Sequence, residues 1–213
     1  MTTLTTGEHD ELLSQAKRQL RARMKGLRAS IPAAALASRS ARIVELLREL
    51  PEVSRARAVA CFWPMQHKHE VDLRGLDAEL RQKGLDLYYP FMDPKSDGGY
   101  VTGFRRVDDA SLLQDRGRGF AEPPPDSRVA ARGDIDIVLV PALAVSADGY
   151  RIGYGIGFYD VTLPDVCPPA TSVVVAYDFQ LLAEAPHHER DFACDYVVTD
   201  RNVTDARRGR APA

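Results

Sequence analysis

The apolar positions of this chain switch between two spacings. Over residues 11–29, Leu13, Ala16, Leu20, Met24 and Leu27 recur at helical intervals, which predicts an amphipathic helix. Its polar side carries Lys17, Arg18, Arg21, Arg23, Lys25 and Arg28. Pro32 marks a break. A second helix is expected over 33–50, with Ile43, Leu46 and Leu47 inward and Pro51 closing it. Short, nearly continuous apolar runs then follow at 58–63, 85–89, 135–141, 171–176 and 196–199, the first two ending at Pro64 and Pro90. Runs of this kind describe strands buried on both faces. Leu73, Leu76 and Leu80 predict a helix over 72–83, another helix is expected near 179–185, and 100–104 reads as an edge strand after the Asp97-Gly98-Gly99 turn.

Strands alternating with helices imply an α/β fold: a three-layer, open, mostly parallel sheet with helices on both faces. Ligands collect at the carboxyl ends of strands in such sheets. The polar segment 105–134, with Pro123-Pro124-Pro125 in its middle, is too long for a plain connection and is expected to wrap the sheet or cover a site. Residues 1–10 read as a disordered leader, 11–204 as a single domain and 205–213 as a frayed tail rich in Arg, Gly and Pro.

Bulk chemistry narrows the function. A net charge of −2 argues against a general nucleic-acid binder. No segment reaches the length of a membrane span, and the first residues do not resemble a targeting peptide. Three scattered cysteines, Cys61, Cys167 and Cys194, form neither a metal motif nor a disulfide framework, so a reducing, cytoplasmic compartment is expected.

The densest chemistry lies at 151–160, Arg-Ile-Gly-Tyr-Gly-Ile-Gly-Phe-Tyr-Asp, downstream of the 135–141 strand. Glycines at alternate positions let a backbone turn sharply and direct N–H groups at an anion, so the loop suits phosphate, with Arg151 as a cation and Asp160 as a hard oxygen for magnesium. The spacing matches neither the dinucleotide fingerprint nor the P-loop, and a tight strand-to-helix turn explains the glycines equally well. Lys17 and Arg21, four residues apart, share a helix face suited to phosphate oxygens, although spacing alone favours a solvated basic face. Glu70 could bind a polar heterocycle or cap the next helix. Asp160 and Asp191 could share a magnesium ion; a helix cap is the plainer reading. His67 and His69 read as exposed loop residues rather than metal ligands. Gly-x-Ser-x-Gly is absent.

Taken in order, these pieces resemble the 5-formyltetrahydrofolate cyclo-ligase (methenyltetrahydrofolate synthetase) family. The resemblance rests on Lys17-Arg18-Gln19-Leu20-Arg21, Trp63-Pro64 with Glu70-Val71-Asp72, Gly119-Phe120-Ala121-Glu122-Pro123, Val140 to Ala144, Gly149 to Asp160, and Gln180, Pro186, Asp191, Asp195 and Thr199. It implies an ATP- and magnesium-dependent enzyme, expected to be monomeric, that converts 5-formyltetrahydrofolate to 5,10-methenyltetrahydrofolate with release of ADP and phosphate. It further implies that Lys17, Arg18, Arg21 and the run Arg151, Ile152, Gly153, Tyr154, Gly155, Ile156, Gly157, Phe158, Tyr159 hold ATP, and that Arg151 and Tyr159 take part in catalysis. Met65, Glu70 and Tyr154 through Phe158 are implied to face the folate, with Asp160 and Asp191 serving magnesium. The chain departs from the family's usual pattern at Val145-Ser146 (usually Phe-Asp), at Ile156 (usually Gly or Lys) and at Arg190 (usually His). Two alternatives therefore stay open: a paralogue acting on another amide-like substrate, and a non-catalytic nucleotide or folate module.

Overall fold

A computed structural model describes residues 6–209. Five α-helices occur among them: α1 (Thr6–Ser30), α2 (Ala33–Glu49), α3 (Pro51–Arg55), α4 (Arg74–Gln82) and α5 (Phe158–Val166). The strands, in chain order, are β1 (Ala58–Ala60), β2 (Asp86–Pro94), β3 (Tyr100–Arg106), β4 (Gln114–Asp115), β5 (Ala121–Glu122), β6 (Ile137–Pro141), β7 (Ala144–Ser146), β8 (Arg151–Ile152), β9 (Thr171–Val175), β10 (Leu181–Leu182), β11 (Tyr196–Val198) and β12 (Val203–Asp205).

Seven strands form the main sheet in the order β12-β11-β9-β6-β1-β2-β3. The five inner strands are parallel, and the two edges, β12 and β3, pair antiparallel. Successive residues of each inner strand enter opposite cores. Val59, Leu87, Tyr89, Ile137, Leu139, Val173 and Val175 pack under α2, α3 and α4. Ala58, Ala60, Tyr88, Val138, Val140 and Val174 pack on the other face with Phe158 and Leu163 of α5. Burial on both faces is why these strands carry no polar alternation. The expected three-layer α/β architecture is the one observed.

Several local expectations are corrected. α1 starts at Thr6, inside the segment expected to be a disordered leader; residues 1–5 lie outside the described residues. β12 and the 3₁₀ turn Ala206–Gly209 extend the fold into the expected tail, and Ala206 is buried; residues 210–213 also lie outside the description. Pro51 does not merely close α2 but opens α3, at the helical position where a missing N–H costs nothing. β1 stops at Ala60, three residues short of the expected end.

β2 runs through Pro90 instead of ending there. Cys61 donates its N–H to the Tyr88 carbonyl, and Met92 donates to a Glu122 carboxylate oxygen, so alternate residues 88, 90 and 92 face the side where β1 has already stopped. Proline at 90 therefore removes no ladder bond.

No helix forms near 179–185. A 3₁₀ turn (Asp178–Gln180) leads into β10, which pairs with β7. The fully buried Gln180 side chain enforces this path: its amide donates to the carbonyls of Ala142 (3.2 Å) and Leu143 (2.7 Å), and its oxygen accepts the Tyr177 N–H (2.9 Å). A hairpin of β7 and β8 stands between β6 and the glycine loop, and with β10 it makes a separate small sheet. α1 packs on this small sheet through Met24 and Leu20, against Leu143, Ala144 and Ile152.

Replacing Gln180 with leucine leaves two carbonyls and one N–H unpaired in the core. Equilibrium urea unfolding should show a loss of roughly 2–4 kcal/mol; a loss below about 0.5 kcal/mol would mean that water satisfies these groups.

Candidate active site

The chain runs one way from β1 to β2 and the other way to β6, so the strand order reverses at β1. A large cavity opens at the carboxyl ends of these strands, walled by Phe62 and Trp63 after β1, Pro90 of β2 and Pro141 of β6. This is where an open α/β sheet leaves a crevice. The space between its walls is about 1220 Å³, including the open mouth.

The glycine loop forms one wall. β8 delivers Arg151 and Ile152, residues 153–157 turn, and α5 begins at Phe158 with Gly157 as a left-handed N-cap. The start of α5 therefore points its unpaired N–H groups and positive dipole end into the cavity. Gly155, at φ 104°, combines a backbone conformation unfavourable for other residues with close approach: a side-chain carbon there would lie 3.4 Å from the Arg21 guanidinium carbon. Ile156 needs no such backbone, because His69 is the one non-glycine residue with positive φ among the described residues. Its side chain is 53% exposed at the cavity wall.

α1 supplies the facing wall, and here the sequence pattern misled. Lys17 and Arg28 belong to the buried face of the helix, together with Met24. Arg21 donates through Nε to the Gly153 carbonyl at 3.0 Å, and Arg28 hydrogen-bonds the Tyr154 hydroxyl. Arg18 points the other way, is exposed and lies outside the cavity.

Two ion pairs tie these walls to the 188–192 loop. Arg151, 8% exposed, donates to the Phe192 carbonyl (2.8 Å) and to Asp160 Oδ1 (3.0 Å), which also accepts the Phe192 N–H (3.1 Å). Lys17 pairs with Asp191, whose same oxygen accepts the His188 N–H at 2.8 Å. Burial alone would raise the Asp191 carboxyl, but the Lys17 ammonium and the His188 N–H outweigh it and hold the group below the ordinary aspartate range. Burial pushes the Tyr159 phenol well up, against the pull of Arg151, so it stays protonated at neutral pH.

The remaining lining is aromatic and cationic. Phe62, Trp63, Phe120, Tyr154, Phe158 and Tyr159 face the cavity, with Lys68, Glu70 and Arg118 beside them. Glu70 accepts the Met65 N–H at 2.9 Å. The Met65 side chain falls elsewhere, on a neighbouring hollow with Leu36, Ser40 and Tyr177. Five cations and three carboxylates line the cavity among the described residues, an excess suited to anionic ligands. Asp160 and Asp191 are not joined by a third metal-ligating side chain: no group of three His, Cys, Asp or Glu that could hold a metal occurs among the described residues.

Sequence reasoning singled out neither Lys68, Arg118 nor Phe120 as a site residue. The last two lie in the 105–134 segment, which does cover the site, but nothing in its irregular pattern says which side chains turn inward.

Residues 13–200 match the sequence profile of the 5-formyltetrahydrofolate cyclo-ligase family. The 5-formyltetrahydrofolate cyclo-ligase of Escherichia coli is 32% identical over 155 residues, 72% of this chain and 83% of that protein. The Mycolicibacterium smegmatis protein of the same name is 43% identical over 91 residues, 42% of this chain and 47% of that protein. The solved structure of Aquifex aeolicus 5,10-methenyltetrahydrofolate synthetase superposes with a TM-score of 0.75 at 31% identity, covering 92% of this chain and 96% of that one. A Mycoplasma pneumoniae synthetase structure, 21% identical, shares the fold at a TM-score of 0.66 and covers 86% and 98%.

The chain belongs to the 5-formyltetrahydrofolate cyclo-ligase family. It is therefore an enzyme of the ligase class. Three of the four departures from the cyclo-ligase pattern do not line the cavity: Val145 is buried between β8 and β10, Ser146 bonds Asp148, and Arg190 is exposed. Ile156 alone of the four faces it.

The Lys17–Asp191 pair makes a pH prediction. A depressed carboxyl stabilises the fold above its unfolded value, near 4, and the stabilisation is lost as pH falls through the lower folded value. In Lys17→Met the burial effect is left less opposed, so the Asp191 carboxyl should titrate at higher pH. Carbon-detected NMR titration measures it; an unchanged titration would show that the pair does not control Asp191.

Proposed function

We propose that this cyclo-ligase converts 5-formyltetrahydrofolate to 5,10-methenyltetrahydrofolate at the expense of ATP. The observation that carries the reading is the facing of two walls: the glycine loop with the α5 N-terminus on one side, and Lys17 and Arg21 on the other, within a single aromatic-lined cavity. The first pair of features suits a polyphosphate, and the aromatic lining suits a flat heterocycle.

In the proposed reaction the formyl oxygen of the N5 amide takes the γ-phosphoryl group, and the bond from that phosphorus to the bridging oxygen of ADP breaks. The folate N10 then attacks the activated formyl carbon. Inorganic phosphate departs with the original formyl oxygen and carries away the N10 proton, leaving the methenyl bridge. Protein catalysis of such a transfer is mainly positioning and charge neutralisation. Arg21 lies against Gly155, where it braces the loop and presents its guanidinium to phosphate oxygens. Arg151 fixes the loop's start and orients Asp160. The protonated Tyr159 acts as a hydrogen-bond donor, not a base. Glu70 stands at the aromatic end, where its carboxylate can accept from the N–H groups of a pterin.

Asp160 and Asp191 fit magnesium in donor chemistry. In the bonds above each uses one carboxylate oxygen, and magnesium takes one or two carboxylates with water and phosphate completing its shell. Bound there, the ion would neutralise charge on the phosphates. The buried, free cysteines fit a reducing compartment, and we take the enzyme to be cytoplasmic and monomeric.

Incubation with ATP, magnesium and 5-formyltetrahydrofolate should give the methenyl product, followed by its absorbance, with one ADP per product. Nucleotide binding without product would favour a paralogue with another substrate. Asp160→Ala should lower turnover by about 100-fold or more, as removal of a group that orders phosphate charge does; a rate within about threefold of the parent would remove Asp160 from the site.

A further inference from the structure

One ammonium group in the cavity joins three segments that are distant in sequence. Lys68 closes the 3₁₀ turn Gln66–Lys68, between β1 and α4. Its Nζ donates to the Gly119 carbonyl, in the segment that covers the cavity, and lies 4.5 Å from the centre of the Tyr154 ring, on the glycine loop. Gly119 makes the contact possible: φ is 79°, and a side-chain carbon there would come within 3.3 Å of Nζ.

Little else ties down this part of the cover. Residues 116–120 join the paired strands β4 and β5; within them Gly117 bonds Asp115 and Arg118 bonds Glu122, both inside the same stretch of chain, and the Arg118 guanidinium lies 5.9 Å from the Tyr100 ring of β3. Phe120 rests on Phe158 at 5.8 Å between ring centres, an apolar contact without fixed direction. Among the described residues, Lys68 makes the one hydrogen bond that connects residues 116–120 to a different segment. It has no carboxylate within ion-pair distance among those residues; its partners are a carbonyl and a ring face. Burial, with Lys25 and Arg28 nearby, holds the ammonium below the ordinary lysine range despite Glu70 and Asp115. A half-buried charge held this way is costly unless the contacts that surround it stay closed.

We propose that Lys68 is a positioning residue for the reaction: its ammonium latches residues 116–120 to the glycine loop and closes the cover over the bound ligands. The latch shuts Phe120 down against the aromatic wall and adds its contact to those that Lys25 and Arg28 make with Tyr154. Only the kinetic consequence of this inference rests on the cyclo-ligase reading.

Limited trypsin digestion of the full chain tests the latch, with cleavage after Arg116 and Arg118 followed by mass spectrometry. Lys68→Met should speed cleavage at these two sites about tenfold through the local opening equilibrium, with the remaining sites unaffected apart from the loss of cleavage after residue 68 itself. It should also raise KM about tenfold with kcat within about threefold, the pattern of lost binding rather than lost chemistry. Lys68→Arg, which keeps a cationic donor, should restore both. Unchanged cleavage in Lys68→Met overturns the latch, even if KM rises, because Lys68 would then act by touching ligand alone. Cleavage accelerated equally at all sites also overturns it, as general destabilisation. If the parent enzyme lacks cyclo-ligase turnover, the functional reading fails and the digestion still decides the latch.

Discussion

The site depends on the buried guanidinium of Arg151. It joins β8 to the first turn of α5 through Asp160 and to the 188–192 loop through the Phe192 carbonyl. A guanidinium this buried is tolerable only when its donors are met, and these partners meet them with an acid and a backbone carbonyl. The consequence is geometric. With both ends of the glycine loop held, the start of α5 stays aimed into the cavity, and Asp191, one residue before Phe192, is brought beside the same wall. The Lys17–Asp191 pair then ties α1 to that loop, so that a helix packed on the small sheet contributes cations to a crevice of the main sheet.

In the proposed reaction one cavity serves two unlike ligands. Arg21, Arg151, Asp160 and Asp191 bring charge to the cavity lining, beside the backbone of the glycine loop. Phe62, Trp63, Phe120 and Tyr154 supply flat aromatic surface, with Lys68, Arg118 and Glu70 as the charged groups among them. The glycine loop lines the same cavity, and the proposed reaction needs a phosphoryl donor and an amide acceptor within one enclosure. The covering segment and Lys68 would shut that enclosure from water, where activated intermediates otherwise hydrolyse.

The layered sheet was legible because its signal is a buried-strand pattern that tolerates no polar alternation. The glycine loop and Asp160 were legible because their chemistry is local. Orientation was not. Lys17 and Arg28 looked like members of a solvated helix face, yet the face that packs on the small sheet is itself partly cationic, so burial and polarity ceased to be opposites. Pro90 looked like a strand end because nothing local shows that β1 stops beside it. The 179–185 segment looked helical because its spacing carries no trace of the Gln180 bonds to Ala142 and Leu143. Met65 and Arg18, implied by family resemblance, fall outside the cavity; Lys68 and Phe120 fall inside it. These outcomes were set by contacts between segments far apart in the chain.

If ATP acts by phosphorylating the formyl oxygen, that oxygen must leave in inorganic phosphate. The direct test is to supply 5-formyltetrahydrofolate carrying heavy oxygen in the formyl group and to analyse the inorganic phosphate by mass spectrometry. Phosphorylation of the formyl oxygen puts the label in phosphate, one atom for each methenyl product formed. Label recovered in water or retained in the folate, with phosphate unlabelled, would contradict it.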